Sequence, residues 1–274
     1  MTRNYTLSLP HLTMLDATPP QVVAAAAAAG FDAVSLRLWP TMAGERQHPM
    51  LDNSSMLRET RARMADTGVA VFDLEAIWLK PDSRPEPYLK TFEAAATLGA
   101  CWFQVISADP DEHRVAQTLH DFCEAGAAFG LGMALEFMAI SELRSLAQAQ
   151  RVVEACAMDN LVLTVDALHH FRCGTSMEEL KVLDPGKIGL IQLCDAPLAA
   201  PVGREAMVIE ARFDRRLPGN GDLPLERWLN ALPGNKVLAI EAPQPAKNGE
   251  APTPTERAQV LMRSLRQFLD TLDD

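Results

Sequence analysis

The chain has 274 residues, 48% of them apolar and 22% charged, and 25 Lys and Arg against 36 Asp and Glu leave a net charge of −11. A chain of this size buries about three quarters of the surface its unfolded form exposes, which allows a core without disulfides or structural metal; the composition excludes collagen-like, coiled-coil and wholly disordered chains. The acidic balance and the lack of a dense Lys/Arg run disfavour nucleic acid and anionic membranes as partners.

In chain order, residues 5–9 read as a short strand. Pro19 and Pro20 followed by QVVAAAAAAG read as a helix stopped at Gly30, since proline suits a first turn, alanine the interior and glycine the end. Residues 33–38 (AVSLRL) read as a strand, 53–67 as a helix capped by Asp52, Asn53 or Ser54, and 69–75 (VAVFDLE) as the next strand. The alternation continues with helices at 88–98, 111–129 and 141–157 and strands at 102–106, 133–137 and 161–165. A short helix at 176–182 precedes a strand at 188–193, and a loop containing Pro, Gly and Arg then runs to about Gly221. A helix at 225–232, a strand at 237–240 and an amphipathic helix at 255–272 close the chain; residues 246–254 (AKNGEAPTP) read as a solvated loop.

These are eight strand–helix units, and continuous apolar strands such as LVLTV and VLAI indicate a parallel sheet buried on both faces. Eight units at about 31 residues each predict a single (β/α)8 TIM barrel over residues 1–274, in the α/β class. The competing doubly wound sheet lacks its Gly-rich dinucleotide fingerprint here. Five scattered cysteines without a CxxC suit reduced thiols, and the first residues lack the apolar core of a signal peptide. The apolar run at 24–29 is too short to span a membrane. A cytoplasmic protein is expected, with homo-oligomerisation left open.

In such a barrel, function sits where strands end. Polar residues ending apolar strands are Glu136 in MALEF, Asp166 in LTVDALHH, Gln192 and Asp195 in GLIQLCDAP, and Glu241 in VLAIEAP, with Asp73 and Glu75 on an earlier strand. The steps from Glu136 to Asp166 and from Asp166 to Gln192 are each near one strand–helix repeat, and the step to Glu241 contains the long loop. Glu136, Asp166, Gln192 and Glu241 therefore come from four consecutive strands and project at one rim. Three clustered carboxylates repel unless a cation resolves them, and oxygen donors favour Mg²⁺ or Mn²⁺, with Co²⁺ or Zn²⁺ as further candidates. His169, three residues after Asp166, is placed to bond substrate or carry a proton.

The segment EARFDRRLPGNG offers Arg212, Arg215 and Arg216, of which one is expected to orient substrate and the others to be solvated. Trp39, Trp78 and Trp102 lie at or near strand ends and are candidates for an apolar pocket wall. Glu75 and Trp102 are therefore included with His169, Arg212 and Arg215 as expected substrate contacts.

The ordered set AAAAAGFDAVSLR, ALEF, VDALH, IQLCDAP, PGNGDLP and LAIEAP resembles the sugar phosphate isomerase/epimerase superfamily of xylose isomerase-like barrels, over nearly the whole chain. The resemblance implies a divalent metal held by Glu136, Asp166 and Glu241, with Gln192 where the family usually has histidine. It implies a substrate contact for His169 and proton transfer by Glu136 and Glu241. QLCDAP followed by an Arg-containing segment and PGNG is similar to bacterial 3-dehydroshikimate dehydratases, which also use Gln at that position; DLEAIWLKP lacks the arginine those enzymes would carry after the third strand.

The resemblance thus implies a metal-dependent isomerase or epimerase acting on a small polyhydroxy carbonyl substrate. A lyase of the dehydratase type shares the first proton abstraction and is the alternative. A non-catalytic sugar-binding barrel is the non-enzyme alternative. A DNA-repair endonuclease of the same superfamily would need a histidine-rich multi-metal cluster that the sequence lacks.

Overall fold

Eight strands pair in parallel, each with its neighbour in sequence and the last with the first, into a closed barrel: β1 (Thr6–Leu9), β2 (Ala33–Arg37), β3 (Ala70–Leu79), β4 (Trp102–Ser107), β5 (Gly132–Glu136), β6 (Leu161–Asp166), β7 (Ile188–Leu193) and β8 (Val237–Ile240). The computed structural model describes residues 5–42, 44–243 and 252–273. β2 and β4 to β8 are buried on nearly every residue, because helices cover the outer face while side chains fill the interior.

Ten α-helices are described: α1 (Pro19–Ala29), α2 (Ser55–Thr67), α3 (Leu89–Leu98), α4 (Glu112–Ala127), α5 (Leu146–Cys156), α6 (Ala167–Arg172), α7 (Met177–Lys181), α8 (Arg204–Phe213), α9 (Leu225–Asn230) and α10 (Pro254–Asp273). α1 shows how the sequence sets an element. Thr18 and Gln21 close a capping box, Pro19 and Pro20 fill the first turn, and Gly30 ends the helix at φ 82°, a conformation that favours glycine. Among the described residues no helix is long and apolar enough to cross a membrane.

Several expected boundaries move. The third strand extends to Leu79 rather than ending at Glu75, because Ala76, Ile77 and Leu79 are buried. Asp52 and Asn53 have positive φ, so Ser54 is the cap and α2 begins at Ser55, two residues later than expected. The helix expected from 141 begins at Leu146, where the Ser145 side chain accepts the Gln148 N–H. Two α-helices were not foreseen: α6, capped by the Asp166 carboxylate, and α8, inside the segment read as one long loop. Of the expected loop at 246–254, residues 246–251 lie outside the described residues, and Thr253 caps α10 by accepting the Glu256 N–H.

The two ends of the barrel differ. Trp102 opens β4 and lies against the starts of β5 and β7; a Cβ on Gly132 would collide with its ring, so that close approach requires glycine. The strand C-termini instead carry Asp166, Gln192 and Glu136.

Candidate active site

Asp166 and Gln192 face each other as partners in the β6–β7 ladder, and Glu241 follows β8 directly. All are buried, as is Glu136 at the end of β5. Asp166 performs two tasks. Its Oδ1 accepts the backbone N–H of His169 at 2.9 Å, starting α6, and its Oδ2 accepts from Arg215 Nη1 at 2.6 Å. The other arm of Arg215 reaches Glu241 Oε2 at 2.9 Å, and its Nε–H donates to the Ala211 carbonyl of α8 at 2.7 Å. Glu241 Oε1 accepts from Gln192 Nε2 at 2.9 Å. One guanidinium thus joins two carboxylates across the site, with the planar fork that arginine provides.

Glu136 stands three strands round from Glu241, with the His169 ring 3.8 Å from its carboxylate. Burial, with the charges of Asp166 and Glu241 adding to it, holds Glu136 well above the usual carboxylate range. Burial likewise pushes Glu241 up to about 8, against the opposing pull of Arg215. Burial also acts to raise Asp166, but Arg215 and the His169 contacts outweigh it and keep that carboxylate below its ordinary value. Burial lowers His169 to about 4, so at neutral pH its ring is uncharged.

Above this layer lies a cavity with an empty volume of about 840 Å³, lined by Glu136, Glu241, His169 and Arg215 and walled by Trp78, Met138 and Ile140. Its other wall is an ion-pair chain. Glu75 accepts the Leu12 N–H at 3.2 Å and pairs with Arg37 at 3.0 Å; Arg37 pairs with Glu45 at 3.3 Å, and Glu45 also pairs with Arg212. Arg212, on α8, is thereby fastened to the loop after β2.

The structure gathers most of the expected residues at this end. Glu136, Glu241, His169, Arg215, Arg212 and Glu75 all line the cavity, while Asp166 and Gln192 are buried beneath them. Among the described residues no three His, Cys, Asp or Glu side chains form a ready metal cluster, since Arg215 stands between Asp166 and Glu241. Trp102 does not reach the site: it opens its strand rather than ending it, so its ring lies at the opposite end of the barrel, and the tryptophan lining the cavity is Trp78. Asp195 is occupied as a structural anchor. Its carboxylate accepts backbone N–H groups from Ala196, Gly219, Gly221 and Leu223, which folds the PGNG turn.

Arg37 and Gln104 are among the polar cavity residues that escaped the sequence reading. Arg37 ends β2, and the strand-end rule applied to AVSLR would have found it. Gln104 is the lone amide in the apolar strand WFQVIS; a buried polar group needs a partner, and that was its signal.

The chain belongs to the xylose isomerase-like TIM barrel family, whose sequence profile matches residues 23–268. Over 135 residues it is 29% identical to an inosose isomerase of Bacillus velezensis, covering 47% of this chain and 46% of that protein; the match spans about half the length of this curated relative. The IOLI protein, solved with a bound zinc atom, superposes with a TM-score of 0.80 at 19% identity, over 97% of this chain and 99% of its own. The probable 3-DHS dehydratase AsbF of petrobactin synthesis in Bacillus anthracis superposes with a TM-score of 0.73 at 12% identity, over 95% and 98%. At these identities the structural likeness establishes the shared barrel.

Proposed function

We propose that this chain is a divalent-cation-dependent isomerase or epimerase of a small polyhydroxy carbonyl compound, acting by proton abstraction beside the carbonyl. The observation that carries this reading is the pair Glu136 and Glu241: two buried carboxyls, three strands apart, that line one cavity. Burial raises both carboxyls above their ordinary range in the cation-free chain, and a cation held by them would draw them back down.

The donor set fits a hard divalent cation. Asp166 and Glu241 meet at one buried arginine, Glu136 lines the same cavity as Glu241, and Gln192 Oε1 is a buried acceptor with no hydrogen-bond partner among the described residues. Glu136, Asp166, Gln192 and Glu241 would hold Mn²⁺ or Mg²⁺; Co²⁺ or Zn²⁺ also suit the site, in line with the zinc of the IOLI protein. When bound, the cation supplies Lewis-acid polarisation of a carbonyl and its neighbouring hydroxyl. One of Glu136 and Glu241 takes the proton from the carbon beside the carbonyl and the other, in its protonated form, returns one, while the neutral His169 hydrogen-bonds a substrate oxygen. Arg212 and Arg215 orient substrate oxygens, Glu75 accepts from a hydroxyl, and Trp78, Met138 and Ile140 shield the carbanion from bulk water.

The partial match to inosose isomerase makes cyclic polyhydroxy ketones the first substrates to test. Gln192 followed by PGNG favours a second reading, the dehydratase-type lyase, in which a β-hydroxyl is expelled after the same first step. The cation-reconstituted protein is incubated in D₂O with inososes, ketoses and 3-dehydroshikimate and followed by NMR. Deuterium entering the carbon beside the carbonyl without loss of water supports isomerisation. Efficient formation of protocatechuate would replace it with the lyase, and saturable binding without exchange would support a sugar-binding barrel.

A further inference from the structure

A line of polar side chains crosses the barrel interior beneath the cavity. Ser35 Oγ on β2 donates to Asp73 Oδ1 at 2.7 Å, and Gln104 Nε2 on β4 donates to Asp73 Oδ2 at 2.6 Å. The Gln104 carbonyl oxygen then faces Gln192 Nε2 at 3.5 Å, and the same nitrogen donates to Glu241 Oε1 at 2.9 Å. Asp73, Gln104 and Gln192 are all buried. An ionised carboxylate only accepts, whereas a primary amide has a donor end and an acceptor end. Asp73 therefore fixes which end of Gln104 turns toward it, and Gln104 presents its oxygen to Gln192. With acceptors on both sides of its nitrogen, Gln192 turns its own oxygen away from them, and that oxygen is the buried one without a partner.

We propose that Asp73 and Gln104 are positioning residues that set the direction of the Gln192 amide, so that it offers oxygen rather than nitrogen to the cation. This inference rests on the reading of Glu136, Asp166, Gln192 and Glu241 as a cation site. It assigns a role to two buried polar residues which that reading leaves unused. Asp73→Asn loosens the relay without abolishing it, since the new amide can meet Gln104 with its oxygen and Ser35 with its nitrogen, or the reverse. Asp73→Leu and Gln104→Met abolish it, and Gln104→Met does so with an unbranched side chain of similar length.

The test is calorimetric titration of the full chain with Mn²⁺ at pH 8, above the value of about 7 to which burial pushes Asp73. Outer partners of metal ligands typically contribute about 10–100-fold in affinity. Asp73→Leu and Gln104→Met should weaken Mn²⁺ binding by that factor, and Asp73→Asn by less than Asp73→Leu, because one of its two orientations keeps the relay. In a Gln192→Ala background the Asp73→Leu loss should vanish, which a general loosening of the barrel would not produce. Equal affinities for Asp73→Leu and Asp73→Asn, or a loss that persists without Gln192, would overturn the relay alone. A wild-type chain that binds no Mn²⁺ would overturn both the relay and the cation site. If Asp73→Leu does not fold, Gln104→Met gives the same reading.

Discussion

Arg215 is the single residue on which the metal-free site most depends, and Arg215→Met isolates its contribution. Its guanidinium pairs with Asp166 at 2.6 Å and Glu241 at 2.9 Å, and all three side chains are buried. Removing one partner of a buried pair leaves an uncompensated charge and costs about 3–5 kcal/mol. The lost Nε–H bond to Ala211 adds about 1 kcal/mol or less. For 274 residues, an unfolding entropy of about 0.58 kcal/mol per kelvin turns 3–5 kcal/mol into a fall of roughly 5–9 °C in Tm. The assay is thermal unfolding at pH 8 in chelator, with Arg216→Met as the control. The Arg216 guanidinium makes only long surface contacts, to Asp222 at 3.7 Å and the Asn220 carbonyl at 3.5 Å among the described residues, so its loss should cost under about 1 kcal/mol. Saturating Mn²⁺ should raise the Tm of Arg215→Met by more than that of the wild type, because the variant lacks the cation that opposes a second one. A chelated Arg215→Met variant as stable as Arg216→Met would show that the guanidinium is not what holds Asp166 and Glu241 together.

Glu136→Gln and Glu241→Gln should each reduce turnover by at least about 100-fold, the usual contribution of a positioned proton-transfer group, with the fold intact by circular dichroism; near-normal turnover at saturating cation would remove that residue from the chemistry. Gln192→His should still bind metal but shift relative affinity toward Zn²⁺ or Co²⁺, since imidazole is a softer donor than an amide oxygen; identical preferences in calorimetric titrations would leave Gln192 without a part in selectivity. His170 has both ring nitrogens buried without a hydrogen-bond partner among the described residues, its ring packs against Phe171 and Trp228, and burial lowers its pKa to about 4. The unfolded chain takes up that proton first as pH falls below 6.5, so the group destabilises the fold progressively between pH 6.5 and 4. His170→Phe should therefore improve relative stability by about 2 kcal/mol more at pH 5 than at pH 8 in urea unfolding, and an equal change at both pH values would contradict this.

The barrel was legible because buried parallel strands are continuous apolar runs, and the rim because polar residues interrupt those runs at the strand–helix repeat. Direction along a strand was harder to read. Trp102 and Glu136 both stand at strand ends, but one opens β4 and the other closes β5, which places them at opposite ends of the barrel. The arginines were harder still. Only after α8 ends at Phe213, and Arg216 pairs its backbone with Asp195 in a short antiparallel bridge, does Arg215 turn inward while Arg216 turns to solvent. That geometry depends on Asp195, which the strand-end rule by itself does not separate from Asp166. Both carboxylates follow apolar strands and both are buried. Asp195 commits its oxygens to four backbone N–H groups of its own loop, whereas Asp166 gives one oxygen to a helix start and turns the other toward Arg215 and the cavity layer. The first carboxylate thereby builds the loop that delivers the guanidinium, and the second receives it. A strand-end acid becomes a candidate for chemistry only when the backbone around it leaves one of its oxygens free.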